Sequence, residues 1–161
     1  MEIADTILRI RENARAAEAL HEQSRRLLVD SVRAGAAAGL TQREISEAIG
    51  RSQPEVSRLL RFHGRTELGR KIVRNRAALL KLLSAGGAQN VRVFGSVSRG
   101  EDGPASDVDL LVEFREPLSL FALARLESSA SELLDASVDI VPTDNLRANV
   151  AERARAEAVP L

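Results

Sequence analysis

The chain has 161 residues, 44% of them hydrophobic and 29% charged, with 23 Lys+Arg balanced by 23 Asp+Glu, which suits one large globular domain or two small ones. It has no cysteine, which removes a disulfide framework and a thiolate zinc site, and no apolar run near the roughly 18 residues of a membrane span. Aromatic residues make up 2%, with neither Trp nor Tyr, which argues against a base-stacking platform for single-stranded nucleic acid.

The start, MEIADTILRIRENARAAEA, carries acidic residues and no uninterrupted apolar core, so a secretory signal is not expected and a cytoplasmic location is. The neutral total hides an asymmetry. Met1 to Arg76 holds 15 Lys+Arg and 10 Asp+Glu, whereas Ala77 to Leu161 holds 8 and 13. A basic half joined to an acidic half suggests two modules with different partners.

Taken in order, Ile3, Ile7, Ile10, Ala14 and Ala17 recur at steps of three and four, followed by Leu27, Leu28 and Val32. That period predicts a helix to about Ala38, stopped by Gly39. Its apolar steps suit either a contact between two copies or packing within one chain. Two short helices follow over 41–49 and 53–62, separated by Gly50-Arg51-Ser52. Each opens with a capping box, Thr41-Gln-Arg-Glu44 and Ser52-Gln-Pro-Glu55, and Pro54 sits in a first turn, where its missing N–H costs nothing. The polar HGRTELG stretch places a linker near 63–69, and a further helix is expected over 71–83.

Beyond SAGGAQN the period changes to alternation. Strands are expected over 90–94, 107–114 and 138–141, a glycine-bounded turn over 95–100, and helices over 118–134 and 146–157. The expected organisation is a helical module over 1–65, a connecting helix over 66–86, and a small sheet domain over 87–161. The fold class is α+β.

The chemistry concentrates in GSVSRG, then SDVDLLVEF, then VDIV. Alternation puts Asp107, Asp109, Leu111 and Glu113 on one strand face, with Val108, Leu110, Val112 and Phe114 on the other. Two carboxylates spaced by two residues sit about 6–7 Å apart. Like charges held that close call for a compensating cation, and Mg²⁺ suits hard oxygen ligands and substrate phosphates. Asp139, flanked by core residues Val138 and Ile140, supplies a third carboxylate from another strand. Three converging carboxylates can hold two metals for in-line displacement at phosphorus. Gly95 and Ser96 can aim backbone N–H groups and a hydroxyl at a phosphate. Arg99 can neutralise phosphate charge or fix the loop by pairing with a carboxylate.

This series resembles the minimal nucleotidyltransferases of the DNA polymerase beta superfamily, whose pattern is G-S-x-x-R-G, then S-D-x-D-L-L-V, then an acidic residue on a later strand. The resemblance covers 87–161 and fills every motif position. It implies that Gly95 and Ser96 hold a triphosphate, that Asp107 and Asp109 bind both metals, and that Asp139 binds the catalytic metal or acts as general base. ATP is the expected substrate and two Mg²⁺ ions the expected cofactors. Members of this kind are often antitoxins that adenylylate a HEPN-type toxin.

The stretch GLTQREISEAIGRSQPEVSRLLRF has the layout of a helix-turn-helix and resembles bacterial repressor-type domains. Gln42, Ser46, Gly50, Val56 and Leu59 occupy positions 1, 5, 9, 15 and 18 of its 20-residue unit, with a small residue at the helix crossing and Gly at the turn. Ile45, Ile49, Val56 and Leu59 are its expected core. The second helix offers Gln53, Ser57, Arg58 and Arg61 to bases and phosphates of operator DNA, and such domains bind as dimers. His21 and His63 are isolated and read as surface residues. Two other roles fit the same residues: a transcription regulator that senses a triphosphate without turnover, and a modifier of RNA ends.

Overall fold

The structure is a computed structural model that describes residues 2–146, 151, 152, 154 and 157–161. No helix among them is long and apolar enough to cross a membrane. The chain divides into two compact units, Met1–Leu60 and Arg61–Leu161.

The first unit is all helix: α1 (Glu2–Ala37), α2 (Gln42–Ile49) and α3 (Gln53–Leu60). Its core is small. Val32, Ile45 and Val56 are buried together, with Ile49, Leu59 and Leu60 packed around them. Both short helices start as their capping boxes dictate. The Thr41 N–H donates to Glu44 Oε2 at 2.8 Å and the Glu44 N–H donates to Thr41 Oγ1 at 3.3 Å. Ser52 and Glu55 repeat the exchange at 3.1 and 3.4 Å. These bonds satisfy N–H groups that a helix start otherwise leaves orphaned, each cap being worth about 1 kcal/mol. Gly50 ends α2 at φ 66° and ψ 33°, a left-handed conformation that glycine adopts without the penalty of a Cβ. Ser46 is buried, and its hydroxyl donates to the Arg43 carbonyl at 2.8 Å.

The helix expected over 53–62 stops at Leu60. The reason lies in Phe62, which is buried in the core of the second unit while its N–H donates to the Pro160 carbonyl at 2.7 Å. A sheet contact thus wins over one more helical turn.

The second unit is α+β. It runs α4 (Glu67–Arg74), α5 (Arg76–Ala85), β1 (Ala88–Phe94), α6 (Gly95–Arg99), β2 (Val108–Phe114), α7 (Leu120–Leu134), β3 (Val138–Pro142), a 3₁₀ turn (Thr143–Asn145) and β4 (Val159–Pro160). The sheet order is β3-β2-β1-β4. β1 is antiparallel to β2 and to β4, whereas β2 and β3 are parallel, with α7 making the long crossover that a parallel pair requires. Val93, Val108, Leu110, Val112 and Ile140 meet Ile72, Leu79, Leu83, Leu126 and Leu134 from the helices in one core.

Several expected elements differ in detail. The helix expected over 71–83 is divided at Asn75, whose side-chain amide donates to the Lys71 carbonyl at 2.9 Å. The break lets both pieces bury an apolar face, Ile72 on one and Leu79 and Leu83 on the other. The turn expected over 95–100 is the short helix α6, ended by Gly100. Asp107 lies just ahead of β2 instead of within it. Leu111, on the Asp109 face of the strand, is buried although it is outside the main core cluster. The helix expected over 146–157 falls largely outside the described residues, while β4 beyond it was not expected.

Candidate active site

The strand register explains why distant acidic residues meet. Asp109 on β2 lies opposite Asp139 on β3 and, on the other side, opposite Phe94 on β1. Neighbouring strands run about 4.8 Å apart, so two carboxylates from separate strands share one edge of the sheet. Asp107 follows at the entry to β2. Asp109 is half-buried, and Asp107 and Asp139 are exposed.

Electrostatics records the crowding. Burial of Asp109, then the charges of Asp139 and Asp107, push its carboxyl above the usual carboxylate range, and Arg99 partly offsets them. A carboxylate that is desolvated and faced by two more carboxylates resists ionisation. Such a group is a marker of a functional site when it stands in a shaped environment.

Gly95 supplies that shape. It sits at φ 72°, and a Cβ at this position would collide with the Asp109 carboxylate. Only glycine lets the backbone leaving β1 pass this close to the acidic edge. Ser96 follows, half-buried in the first turn of α6. Arg99 reaches the end of α6 and pairs with Glu101 at 2.8 Å and Glu157 at 3.1 Å. These two carboxylates raise its pKa further above the ordinary arginine value, Glu101 first.

Among the described residues, no three His, Cys, Asp or Glu side chains form a ready-made metal cage. The donor set is a pair of strand neighbours with a third carboxylate at the strand entry. That set fits a Mg²⁺ ion which takes one or two protein carboxylates and completes its shell with water and substrate phosphate. The raised pKa of Asp109 fits it too, because a cation would relieve the repulsion that causes the shift.

Sequence reasoning missed the residues that hold β3. It is an edge strand, and its outward N–H groups are satisfied by α7: Val138 donates to Ser131 Oγ at 3.0 Å and Ile140 donates to Glu127 Oε1 at 2.9 Å. Asp139 sits between those two anchors. Serine and glutamate four residues apart on a helix carry no signal by themselves until the strand edge they face is known. A cleft of about 470 Å³ also opens beside Asp107, lined by Thr66, Lys71, Ser106 and Ser137 among others. Its volume is within the range of small-molecule sites.

Of the four residues considered for DNA, Gln53 and Arg58 are exposed on α3 and Ser57 is half-buried there. Arg61 lies past the end of α3, in the second unit. It stands close enough to Arg76 to contribute, after burial, to a lowered guanidinium pKa. The expectation that Arg61 belongs to the second short helix is corrected by the early stop at Leu60.

The sequence profile of the nucleotidyltransferase domain family matches residues 76–160. The chain belongs to that family. The match takes in Gly95, Ser96, Arg99, Asp107, Asp109 and Asp139 together. The chain is also similar to the protein adenylyltransferase MntA of Thermococcus cleftensis, 40% identical over 73 residues, which is 45% of this chain and 74% of that one. A solved structure, provisionally named as a minimal nucleotidyltransferase, is 41% identical with a TM-score of 0.54, covering 62% of this chain and all of the other. A second solved structure, a toxin-antitoxin with AMP-PNP, is 25% identical with a TM-score of 0.50, covering 53% of this chain and 71% of its own. Against two relatives from Methanocaldococcus jannaschii the chain spans 59% of their length.

Proposed function

We propose that this nucleotidyltransferase is a Mg²⁺-dependent protein adenylyltransferase, which moves AMP from ATP to a hydroxyl of a HEPN-type toxin and so acts as its antitoxin. Transfer is assigned to residues 87–161, and 66–86 connect them to a DNA-binding helix-turn-helix over 1–65. That module acts as a homodimer on operator DNA and provides autoregulation. The observation that carries the enzymatic part is the Asp109–Asp139 register beside Gly95, inside the stretch that matches the nucleotidyltransferase domain, in a chain similar to a protein named as an adenylyltransferase.

The roles follow from position. Gly95 and Ser96 hold the triphosphate, and Arg99 adds positive charge at the end of the same short helix. Asp107, Asp109 and Asp139 would hold Mg²⁺, which when bound polarises the phosphates and lowers the pKa of the acceptor hydroxyl. Asp139 would either hold the ion or take the proton of that hydroxyl. A bond forms from the acceptor oxygen to the α-phosphorus, the bond to the bridging oxygen breaks, and pyrophosphate leaves. Gln53, Ser57 and Arg58 on α3 contact operator DNA, with Arg61 contributing a phosphate contact from beyond the helix.

The test is incubation with α-labelled ATP, Mg²⁺ and candidate acceptors. Label on the partner toxin, lost in Asp107→Asn with Asp109→Asn while the fold persists, is the expected result. Label appearing on RNA ends would replace the acceptor assignment. Tight ATP binding with no transfer to any acceptor would make the domain a sensor. DNA binding unchanged by Arg58→Ala with Arg61→Ala, in affinity and in salt dependence, would remove the operator assignment.

A further inference from the structure

The N-terminal stretch of α1 presents its apolar residues to solvent. Every residue from Ile3 to Leu27 is exposed, including Ile3 at 78%, Ile7 at 45%, Ile10 at 61%, Leu20 at 65% and Leu27 at 63%. An isolated helix gains little stability without a packed apolar face. In heptad terms, Ile7, Ala14, His21 and Leu28 are a positions, and Ile3, Ile10, Ala17, Ser24 and Ser31 are d positions. Arg11, Glu18 and Arg25 flank them at e, and Leu20 and Leu27 at g.

We infer that α1 pairs with α1 of a second copy as an antiparallel coiled coil, in the register that opposes Ala14 to the partner's Ala17. The inference rests on the homodimer in the proposed function and adds its orientation and contacts. Charge selects the arrangement. In an antiparallel pair e faces e and g faces g, and the e/g charges set orientation. The Ala14–Ala17 register places Arg11 against Glu18 twice, once on each side of the two-fold axis. Sliding by one heptad either way sets Arg11 against Arg11, or Glu18 against Glu18 and Arg11 against Arg25. A parallel pair would match e with g, where Thr6, Asn13, Leu20 and Leu27 carry no charge. An i,i+4 ion pair within the helix, Arg26 with Glu22 at 3.0 Å, lies at f and b, away from the seam.

Shape agrees with charge. In this register Ile3 and Ile7 of one copy lie against Leu28 and Ser24 of the other. A groove of about 470 Å³ lies there, lined by Leu20, Ser24, Leu27, Leu28, Ser31 and, from outside the helix, Arg51. Ala14 and Ala17 at the centre permit close approach of the two backbones. His21 and Ser24 add polar positions of the kind that fix register at a cost in stability. The overlap from 3 to 28 is about 39 Å long at 1.5 Å per residue.

The chain lacks cysteine, so introduced thiols report contacts cleanly. Ile7→Cys and Ser24→Cys chains, mixed and oxidised, are expected to form a disulfide between the two different chains. Ile7→Cys alone should form none, because the two copies of residue 7 lie about 25 Å apart along the axis. Sedimentation of the full chain at tens of micromolar should give a dimer mass. Arg11→Glu should weaken the dimer on the order of tenfold, and adding Glu18→Arg should restore it. A monomer at all concentrations, a disulfide within the Ile7→Cys variant, or no recovery in the charge swap would overturn the inference. A monomer that dimerises only with a toxin bound on α1 would also overturn it. Loss of AMP transfer or of DNA binding in a protein that still forms this dimer would count against the proposed function and leave the inference standing.

Discussion

The two units reach their folds by opposite routes. Among the described residues, the first buries four apolar side chains, Val29, Val32, Ile45 and Val56, and the second buries twenty. The first is therefore held by local chemistry, two capping boxes and a glycine stop, around a core barely large enough to fix three helices. The second is held by strand pairing between residues far apart in sequence, Val108 with Val138 for one. A local fold is legible from spacing, but its stability is thin. A non-local fold is robust enough to carry a crowded acidic edge.

The sharpest way to separate the units is to remove comparable volume from each. Ile45→Ala and Leu79→Ala each delete a buried side chain, a change that costs about 2–5 kcal/mol in a packed core. In the first unit that equals most of what a core of this size supplies. Ile45→Ala is expected to melt the first unit while the sheet domain keeps its transition. Leu79→Ala should leave both units folded at room temperature and lower the second transition by roughly 10 °C or more. Calorimetry with far-UV circular dichroism reads both outcomes. A single shared transition in both variants would show that the units do not differ in this way.

The edge strand gives a smaller and more local test. Glu127→Ala removes the acceptor for the Ile140 N–H, and an orphaned buried donor costs about 1–3 kcal/mol. The second transition should fall by several degrees. The proposed AMP transfer should fall with it, because Asp139 is held between this bond and the one to Ser131. Glu127→Gln keeps an acceptor and should recover most of both. Equal loss in the two variants would mean the carboxylate charge, and not the hydrogen bond, is what Glu127 contributes.

How far the sequence carried the reading follows from the same contrast. The capping boxes, Gly50 and the α1 period are encoded within a few residues, and the structure has those helices where local chemistry puts them. The α+β order and the three strands around the acidic motif were also legible, because alternation is local. What was not legible depends on partners distant in sequence. The stop at Leu60 depends on Phe62 meeting Pro160, and the hold on β3 depends on Glu127 and Ser131. Leu111 alternates with the carboxylates yet is buried. Gly95 was legible as the glycine that follows a strand, whereas its clearance from Asp109 required the β1–β2 register.

The smallest expected effect isolates what the acidic edge costs the second unit. Asp109 has a raised folded-state pKa, from burial first and from Asp139 and Asp107 next. Between the ordinary carboxylate range and that raised value the folded state binds more protons than the unfolded one, so stability falls as pH rises through the window. Above it the penalty is fully present; below the unfolded value it is absent. In EDTA at neutral pH, Asp109→Asn should therefore raise the second transition by about 1–5 °C, a small gain because the group is half-exposed and screened. The gain should vanish near pH 3, where the native carboxyl is protonated in both states. Adding Mg²⁺ should stabilise the native protein more than the variant, since the ion offsets the same repulsion. If Asp109→Asn instead lowers the transition at neutral pH, Asp109 holds the sheet together, and the strain at this edge is not a cost that catalysis imposes on the fold.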